Sequence, residues 1–326
     1  MSRYIIKRLL WMIPVILGVL VIVFTISYFT PGDPAMSMLG TNYTEESYVA
    51  LREKLGLDKP FLVQLWNYLW GLISRGDLGT SYIGSVPVAT EVVHRFPITF
   101  KLGIMSVIVT TVIGVPLGIL SATKQYSVAD YTVTSFALII AAIPNYVFAL
   151  LGLLLFAVKL GWLPVSGVDS WKSWVMPVAA NSFGFIAVIV RMTRTSMLEV
   201  IRSDYIRTAR SKGLRERLVI WKHAFPNALI PIVTVIGTQL SFIMAGSIIV
   251  ETIFSIPGMG TYIMTGINSR DDPIINGTVL LLSLCICGMN LIVDIAYAFI
   301  DPRIKAQYES GKKRVRKAKV PGKAVP

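Results

Sequence analysis

The chain is poor in charge, histidine and cysteine, and each shortage excludes a kind of protein or site. Only 15% of its 326 residues are charged, whereas a typical soluble domain has about 25%, so the chain lacks the surface of a water-soluble protein. Its two cysteines, Cys285 and Cys287, lie two positions apart in an apolar run and would point to different faces of a helix. We therefore predict that they serve packing rather than a disulfide or a joint metal site.

Motifs for nucleotide binding and catalysis are also missing. The sequence contains no Gly-x-x-x-x-Gly-Lys-Ser/Thr loop, no His-Glu-x-x-His pair and no Gly-x-Ser-x-Gly nucleophile elbow. Gly311-Lys312 and Gly322-Lys323 are not preceded by the loop that cradles a phosphate. We predict that the chain has no catalytic residue, no cofactor and no metal ligand of its own.

What the sequence does contain is long apolar runs, and 54% of its residues are hydrophobic. The hydrocarbon core of a bilayer is about 30 Å thick, so a spanning helix needs about 20 apolar residues. Six windows meet this requirement, and we predict an all-α integral membrane protein with six transmembrane helices. The windows are Leu9–Gly32, Leu102–Thr123, Tyr131–Val158, Ser173–Val190, Ala224–Val250 and Pro273–Val293.

Two apolar stretches need a separate interpretation. The first run is longer than the apolar part of a signal peptide and is followed by Pro31-Gly32 rather than by a small-x-small cleavage site, so we interpret it as a retained span. Phe61–Ser74 is too short to cross a bilayer. Because it carries Trp66 and Trp70, we predict that it is a helix lying at the membrane interface.

The distribution of basic residues predicts the orientation. If the N-terminus is inside, the inner segments hold 22 of the 31 lysines and arginines, and the outer segments hold the other nine together with ten acidic residues. The positive-inside rule then places both termini in the cytoplasm. The net charge of +13 is explained by this topology and by lipid headgroups rather than by binding to nucleic acid.

We divide the chain into four parts on the basis of these runs. Residues 1–30 form the N-terminal end with the first span, and residues 31–97 form an outer segment. Residues 98–300 form a core of five spans that contains a polar inner loop at 191–225. Residues 301–326 form a basic cytoplasmic tail.

The polar inner loop has a helical pattern. Its apolar and small residues follow a repeat of 3.6, which predicts one amphipathic helix that ends at Gly213. A second short helix, from Arg215 to about Lys222, would lead through His223 and Pro226 into the fifth span. The stripe of the first helix consists of Met197, Leu198, Ile201, Tyr205, Thr208 and Ala209. The small side chains of Thr208 and Ala209 would allow a partner groove to grip this helix.

A few residues near the spans are candidates for a gate or a translocation path. Pro144-Asn145 interrupts the third span, and such breaks often line pathways, although a simple kink is the alternative. Acidic residues inside a membrane are costly and often functional. Glu251 would shape the outer gate or contact substrate, and Asp294 would pair with an arginine of the inner loop; we favour gating and pairing. The turn Pro257-Gly258 follows Glu251 on the outer side.

The inner loop resembles the EAA loop of ABC importer permeases. Arg207-Thr208-Ala209 is followed after three residues by Gly213, and after nine more by His223-Ala224-Phe225-Pro226. Arg and Thr replace the Glu and the first Ala of the family pattern, as in the dipeptide, oligopeptide and nickel branch. Further segments similar to that branch are Pro31–Pro34, Leu55–Pro60, Gly76–Gly79, Glu251–Gly260 and Asp301–Arg303.

The resemblance implies a type I permease fold and a set of partners. A second, similar permease would complete the path, an extracytoplasmic binding protein would deliver the substrate, and two cytoplasmic ATPases would bind ATP and Mg²⁺. The substrate would be a dipeptide or oligopeptide, with nickel as the alternative. The residues that would couple to the ATPases are Tyr205, Arg207, Thr208, Ala209, Arg210, Gly213, His223 and Pro226.

Two other functions remain open at this point. A secondary carrier driven by an ion gradient would take up solute without a partner, but the six predicted spans contain few charges. A membrane scaffold would bind partners without transporting anything.

Overall fold

The computed structural model describes residues 2–40 and 43–300, and these residues form a helical bundle. The helices are α1 (Ser2–Phe29), α2 (Pro34–Leu39), α3 (Glu45–Leu55), α4 (Phe61–Arg75), α5 (Val88–Thr123), α6 (Val128–Ala142), α7 (Asn145–Gly152), α8 (Trp171–Ile201), α9 (Asp204–Ser211), α10 (Glu216–Leu218), α11 (Phe225–Ile253), α12 (Met259–Ser269) and α13 (Asp272–Ile300). Two π-helical segments, Leu153–Lys159 and Val219–Ala224, continue α7 and join α10 to α11. The predicted basic tail and the Asp301–Arg303 segment lie outside the described residues.

Within this part of the chain, five helices are long and apolar enough to cross a membrane. They are Ile5–Phe29, Val88–Thr123, Trp171–Ile201, Glu216–Ala245 and Asp272–Ile295. The predicted third span is not one straight helix, because α6 and the helical run Asn145–Lys159 meet at an angle of 91°. Six spans result if this bent pair crosses the membrane once.

Several helices extend beyond the apolar windows. α5 begins at Val88 and continues through Pro97, so the predicted boundary between residues 97 and 98 falls inside a helix. α8 likewise continues past Val190 to Ile201, and thus includes the first part of the predicted inner loop. A hydropathy window locates only the apolar portion of a helix, whereas backbone hydrogen bonds continue into polar sequence where neighbouring helices support them.

The core of the bundle is the contact between α5 and α8. A Cβ atom on Gly114 would lie 2.7 Å from Cγ2 of Ile189, and one on Gly118 would lie 2.5 Å from Cβ of Thr193. Small residues at such positions let two helix backbones approach closely, which favours packing between membrane helices. The hydroxyl of Ser182 also donates to the carbonyl of Ser106 across this contact, at 3.0 Å.

The bundle has two ends with different charge. We call the end that carries Lys124, Arg194 and Arg210 the basic end, and the end that carries Glu251 and Asp271 the opposite end.

At the opposite end, the aromatic residues of α4 pack on the last turns of α1. Trp66 and Trp70 of α4 face outward, as expected for a helix at an interface, but the position of α4 relative to a bilayer stays a prediction.

A buried ion pair holds the basic end together. The Asp130 carboxylate, at the start of α6, accepts hydrogen bonds from Nε and Nη2 of Arg194 in α8, at 2.8 and 2.9 Å. It also accepts from the hydroxyl of Ser121 in α5 and from the backbone N–H of Tyr126 in the α5–α6 turn. One carboxylate therefore fixes three elements, and only 3% of Asp130 is exposed.

We predict that Asp130→Asn destabilises the protein by about 3 kcal/mol, because removal of one charge leaves a partly buried Arg194 without its partner. The change is measured as a lower thermal midpoint of the purified protein in detergent. Asp204→Asn is the matched control, since Asp204 is fully exposed and its contact with Arg207 is 4.0 Å long. Equal midpoints for the two variants would contradict this prediction.

Candidate functional site

The polar segment at the basic end consists of two helices where the sequence predicted one. α8 ends at Ile201, and Ser203 adopts an extended conformation (ψ 153°) before α9 begins at Asp204. Met197 and Ile201 therefore belong to α8, while Tyr205 and Ala209 belong to α9. The predicted continuous stripe was wrong because Ser203 interrupts it, and Ser commonly occupies the position before the first turn of a helix.

One face of α9 is buried against the bundle. Ile206 is 0% exposed and Ala209 is 8% exposed, and both pack in a cluster with Met197 of α8 and with Val219 and Ile220 of the π-helical segment. Ala209 thus faces the interior rather than a partner, contrary to the sequence interpretation. Its small side chain allows α9 to lie close to the core.

The other face of α9 is open to solvent. Tyr205 is 47% exposed, and the side chain of Arg207 is 82% exposed. Thr208 is also exposed, and its hydroxyl donates to the carbonyl of Asp204 at 3.0 Å. This face is the part of α9 that a partner protein can contact.

Gly213 ends the α9 turn, as the sequence predicted. Its φ of +75° lies in the left-handed region, and its N–H donates to the carbonyl of Arg210 at 2.9 Å. Apart from its two neighbours in the chain, no described residue lies within 4 Å of the position that a Cβ would take. The glycine is therefore required for its backbone conformation and not for lack of space.

An ion pair closes this turn from the outside. Arg210 of α9 and Glu216 of α10 form two hydrogen bonds, Nη2 to Oε1 at 2.6 Å and Nε to Oε2 at 3.1 Å. Such a two-point pairing fixes relative orientation better than a single contact. α9 and α10 are thereby held at a defined angle on the two sides of Gly213.

The predicted second helix continues directly into α11. α10, the π-helical segment and α11 follow one another without a break from Glu216 to Ile253. Pro226 lies in the first turn of α11, where a proline needs no backbone donor. The carbonyl of His223 accepts from the side chain of Asn227 at 2.8 Å. His223 and Pro226 thus lie where α9 and α10 join the membrane-spanning helix.

The break at Pro144-Asn145 is confirmed, and it is a sharp bend rather than a kink. Asn145 is half-buried and faces α8, where a Cβ on Gly184 would lie 2.7 Å from its Oδ1. Phe148 and Phe183 stack beside it with ring centroids 3.8 Å apart. The bend packs α7 against α8, and a role of Pro144 and Asn145 in a path stays a prediction.

Glu251 lies in a hydrogen-bonded network at the opposite end. Its Oε1 accepts from the hydroxyls of Thr99 and Ser247, at 2.7 and 3.0 Å. Its Oε2 accepts from the N–H groups of Gly260 and Thr261, at 2.7 and 3.3 Å. Glu251 is 0% exposed, and its carboxylate joins α5, α11 and α12.

The turn at Pro257-Gly258 wraps around this carboxylate. A Cβ on Gly258 would collide with the Glu251 carboxylate. The N–H of Met259 donates to the hydroxyl of Thr99, at 2.9 Å. The turn and the start of α12 are therefore positioned by the same network, which places both predicted gate elements in one cluster.

Asp294 pairs with a different arginine from the one expected. Nη2 of Arg8, at the start of α1, lies 2.5 Å from Oδ2 of Asp294, near the end of α13. α1 and α13 pack together, so their polar ends meet at the basic end. Sequence reasoning considered only the nearby inner loop and missed a contact between distant parts of the chain.

Two buried acidic residues were not identified from the sequence. Asp130 lies three residues after Ser127, which caps α6, and this spacing is that of a capping box with an aspartate. Asp271 accepts from the hydroxyl of Ser81 at 2.6 Å and from the N–H of Tyr82 at 2.7 Å. No local pattern pairs Asp271 with residues 190 positions away.

Comparison with known proteins gives the family. The family model described as binding-protein-dependent transport system inner membrane component matches residues 114–306, and the model of its N-terminal region matches residues 1–103.

The chain is 40% identical over 305 residues to the glutathione transport system permease protein GsiC of Pectobacterium atrosepticum, covering 94% of this chain and 99% of the relative. It is also 40% identical over 333 residues to the dipeptide transport system permease protein DppB of Alkalihalophilus pseudofirmus, covering 94% of this chain and 100% of the relative.

A solved structure agrees with the fold. A chain of the MetNI methionine ABC transporter in an inward-facing conformation has a TM-score of 0.56 with this chain at 19% identity, and covers 64% of this chain and 96% of its own length. The expected permease fold is confirmed. The chain belongs to the family of binding-protein-dependent transport system inner membrane components, and it is a multi-pass membrane permease subunit of an ABC transporter.

Proposed function

We propose that this chain is a permease subunit of an ATP-driven importer for dipeptides or oligopeptides. Relatives that are 40% identical are named for transport of glutathione and of dipeptides, and both substrates are short peptides. A third relative, from Brucella abortus, is 38% identical and is named as a putative peptide transport permease. The shared chemistry of these substrates supports a peptide as the solute.

The observation that carries the mechanism is the two-faced helix α9. Its inner face, with Ile206 and Ala209, belongs to the same apolar cluster as residues of α5, α8 and α11. Its outer face presents Tyr205, Arg207 and Thr208. A force applied to the outer face is transmitted to three long helices, because close-packed side chains transmit displacement.

The partners follow from this arrangement and from the family. Two ATPase subunits would bind ATP and Mg²⁺ and grip the α9 helices of this chain and of a second, similar permease. A binding protein would deliver peptide on the other side of the membrane. Both termini and α9 would lie in the cytoplasm of a bacterial cell, with the Glu251 network at the outer surface.

We assign the Glu251 network to the outer gate. The carboxylate joins the end of α11 to the turn at Pro257-Gly258 and to α12, so movement of α11 shifts the whole turn. Two of its four donors are backbone N–H groups, Gly260 and Thr261. Bonds to an ionised group are roughly twice as strong as neutral ones, so the turn follows α11 as a unit.

We predict that Gly213→Val uncouples ATP hydrolysis from uptake. A β-branched residue is strained at φ +75°, so the α9–α10 turn changes shape while the residues around it remain. In proteoliposomes that contain the complete transporter, peptide uptake per ATP hydrolysed should fall about ten-fold, within the range of typical coupling energies.

Gly161→Val is the matched control for this variant. Gly161 has a φ of +63° and, like Gly213, has no described residue other than its chain neighbours within 4 Å of its Cβ position, but it lies outside α9. Both variants carry the same kind of backbone strain. Normal uptake per ATP in Gly213→Val, or an equal loss in Gly161→Val, would refute the coupling role.

The orientation is tested by cysteine labelling in intact cells. After Cys285 and Cys287 are replaced by alanine, a single cysteine in place of Lys212 should react with a membrane-impermeant maleimide only after the inner membrane is permeabilised. A single cysteine at Asp169, in the segment before α8, should react in cells whose outer membrane is permeabilised and whose inner membrane is intact. The reverse pattern would overturn the proposed topology.

We predict that Glu251→Gln lowers uptake without preventing assembly. Glutamine has the same size, but it loses the charge that strengthens the bonds from Gly260 and Thr261, at a cost of about 1–3 kcal/mol to the network. ATP hydrolysis stimulated by the loaded binding protein should fall with uptake. Glu91→Gln is the control, because Glu91 is half-buried and pairs with Arg95 one helical turn away.

Equal transport by Glu251→Gln and Glu91→Gln, in complexes that assemble equally well, would show that the network has no role in gating.

A further inference from the structure

A cavity of about 310 Å³ lies at the opposite end of the bundle, away from α9 and from the Glu251 network. It is half open to the surface and is lined by α1, the turn between α3 and α4, α4, the segment at residues 78–82 and the first turn of α13. Its volume is at the lower end of the range for small-molecule sites, about 300–1,000 Å³. No predicted gate or coupling residue lines it.

The walls of this cavity are held in place by internal contacts. The side-chain amide of Gln64 donates to the carbonyls of Lys59 and Leu57, at 2.7 and 3.3 Å, which fixes the α3–α4 turn. Phe24 of α1 stacks on Tyr68 of α4 with ring centroids 5.8 Å apart. A site with walls of this kind is formed before any ligand arrives, which lowers the entropic cost of binding.

Two residues that line the cavity have buried polar atoms without partners among the described residues. Asn276 is 2% exposed, and its Oδ1 has no hydrogen-bond donor among the described residues. The buried hydroxyl of Tyr68 has no partner there either. Burial raises the pKa of Tyr68 to about 12, so this hydroxyl stays neutral. Buried polar atoms are normally satisfied, and an orphaned one requires an explanation.

The charges around the cavity are arranged by depth. Asp272, half-buried at the start of α13, forms no ion pair or side-chain hydrogen bond within residues 2–40 and 43–300. Lys54 and Lys59 are exposed at the rim, together with Glu53. The inner side of the cavity therefore offers the Asp272 carboxylate, and its mouth offers two ammonium groups beside the Glu53 carboxylate.

We propose that this cavity binds a zwitterion whose primary ammonium group lies against Asp272 and Asn276 and whose anionic group lies against Lys59 and Lys54. A primary ammonium supplies three N–H donors, which match the Asp272 carboxylate and, once the Asn276 side chain turns toward the cavity, its amide oxygen. Two sources carry this chemistry, the phosphoethanolamine headgroup of a membrane lipid and a free short peptide. The peptide source rests on the proposed function, whereas the lipid source is independent of it.

Binding is tested with the purified full-length chain in nanodiscs, without ATP. In discs of phosphatidylcholine, which has no N–H donor, isothermal titration with dialanine is compared with N-acetyl-dialanine. In a second arm, the protein is released from discs that contain equal amounts of phosphatidylcholine and phosphatidylethanolamine. Native mass spectrometry then measures how much phosphatidylethanolamine the protein retains. We expect saturable binding of at least one ammonium-bearing probe.

The assignment to this cavity is tested with charge-neutral variants. Asp272→Asn and Lys59→Gln should each weaken binding of that probe about ten-fold, the effect of losing one charge-assisted contact. Asn276→Ala should weaken it as well. Asp169→Asn and Lys172→Gln, which make the same charge changes on exposed residues outside the cavity, should leave it unchanged.

The outcomes separate the sources and can overturn the proposal. Binding of dialanine that is lost on acetylation identifies a free peptide site, and selective retention of phosphatidylethanolamine identifies a lipid headgroup site. Absence of binding in both arms, equal binding of the acetylated probe, or binding that Asp272→Asn leaves unchanged while the protein remains folded would refute the site. Because no transport is measured, the proposal can fail while the proposed function stands.

Discussion

Hydrocarbon supplies no hydrogen-bond partner, so a buried carboxylate in a membrane protein is costly unless it finds its partners inside the protein. Asp130, Glu251 and Asp271 show how this constraint shapes the bundle. Each carboxylate is buried, and each collects donors from two or three separate elements. Because an incomplete set of donors would leave a buried charge, these elements cannot separate singly. The three acidic residues thus connect the ends of helices that could slide past one another if only apolar side chains packed between them.

The two ends of the bundle use this constraint for different purposes. At the basic end, Asp130 and Arg194 fix the α5–α6 turn to α8 less than two turns before Ile201, where that helix stops. α9 is then attached by apolar burial of Ile206 and braced by the Arg210–Glu216 pair. At the opposite end, Glu251 fixes a turn instead of a helix. α9 is firmly attached at the basic end, and the turn held by Glu251 moves with α11 at the opposite end. This arrangement suits a protein that transmits motion from one side of a membrane to the other.

The sequence was sufficient for the helical class, for most spans and for the family, because apolar runs and the spacing from Arg207 to Pro226 are local signals. It also located Gly213, whose conformation only glycine adopts easily. It did not reveal which face of α9 is buried, because Tyr205 and Ala209 fit a helical stripe equally well whichever side packs. The pairs Arg8–Asp294 and Ser81–Asp271 join distant segments, and no single-sequence pattern encodes contacts of that kind.

The close approach of α5 and α8 at Gly114 and Gly118 limits how the bundle can deform. At both glycines the α5 backbone packs directly against the side chains of Ile189 and Thr193 and near backbone carbonyls of α8. This contact leaves no room for the two helices to shift relative to each other, so we expect it to stay rigid. We expect any rearrangement during a transport cycle to occur at other helix contacts. The two glycines have no functional side chain, yet their positions determine which helix contact stays rigid.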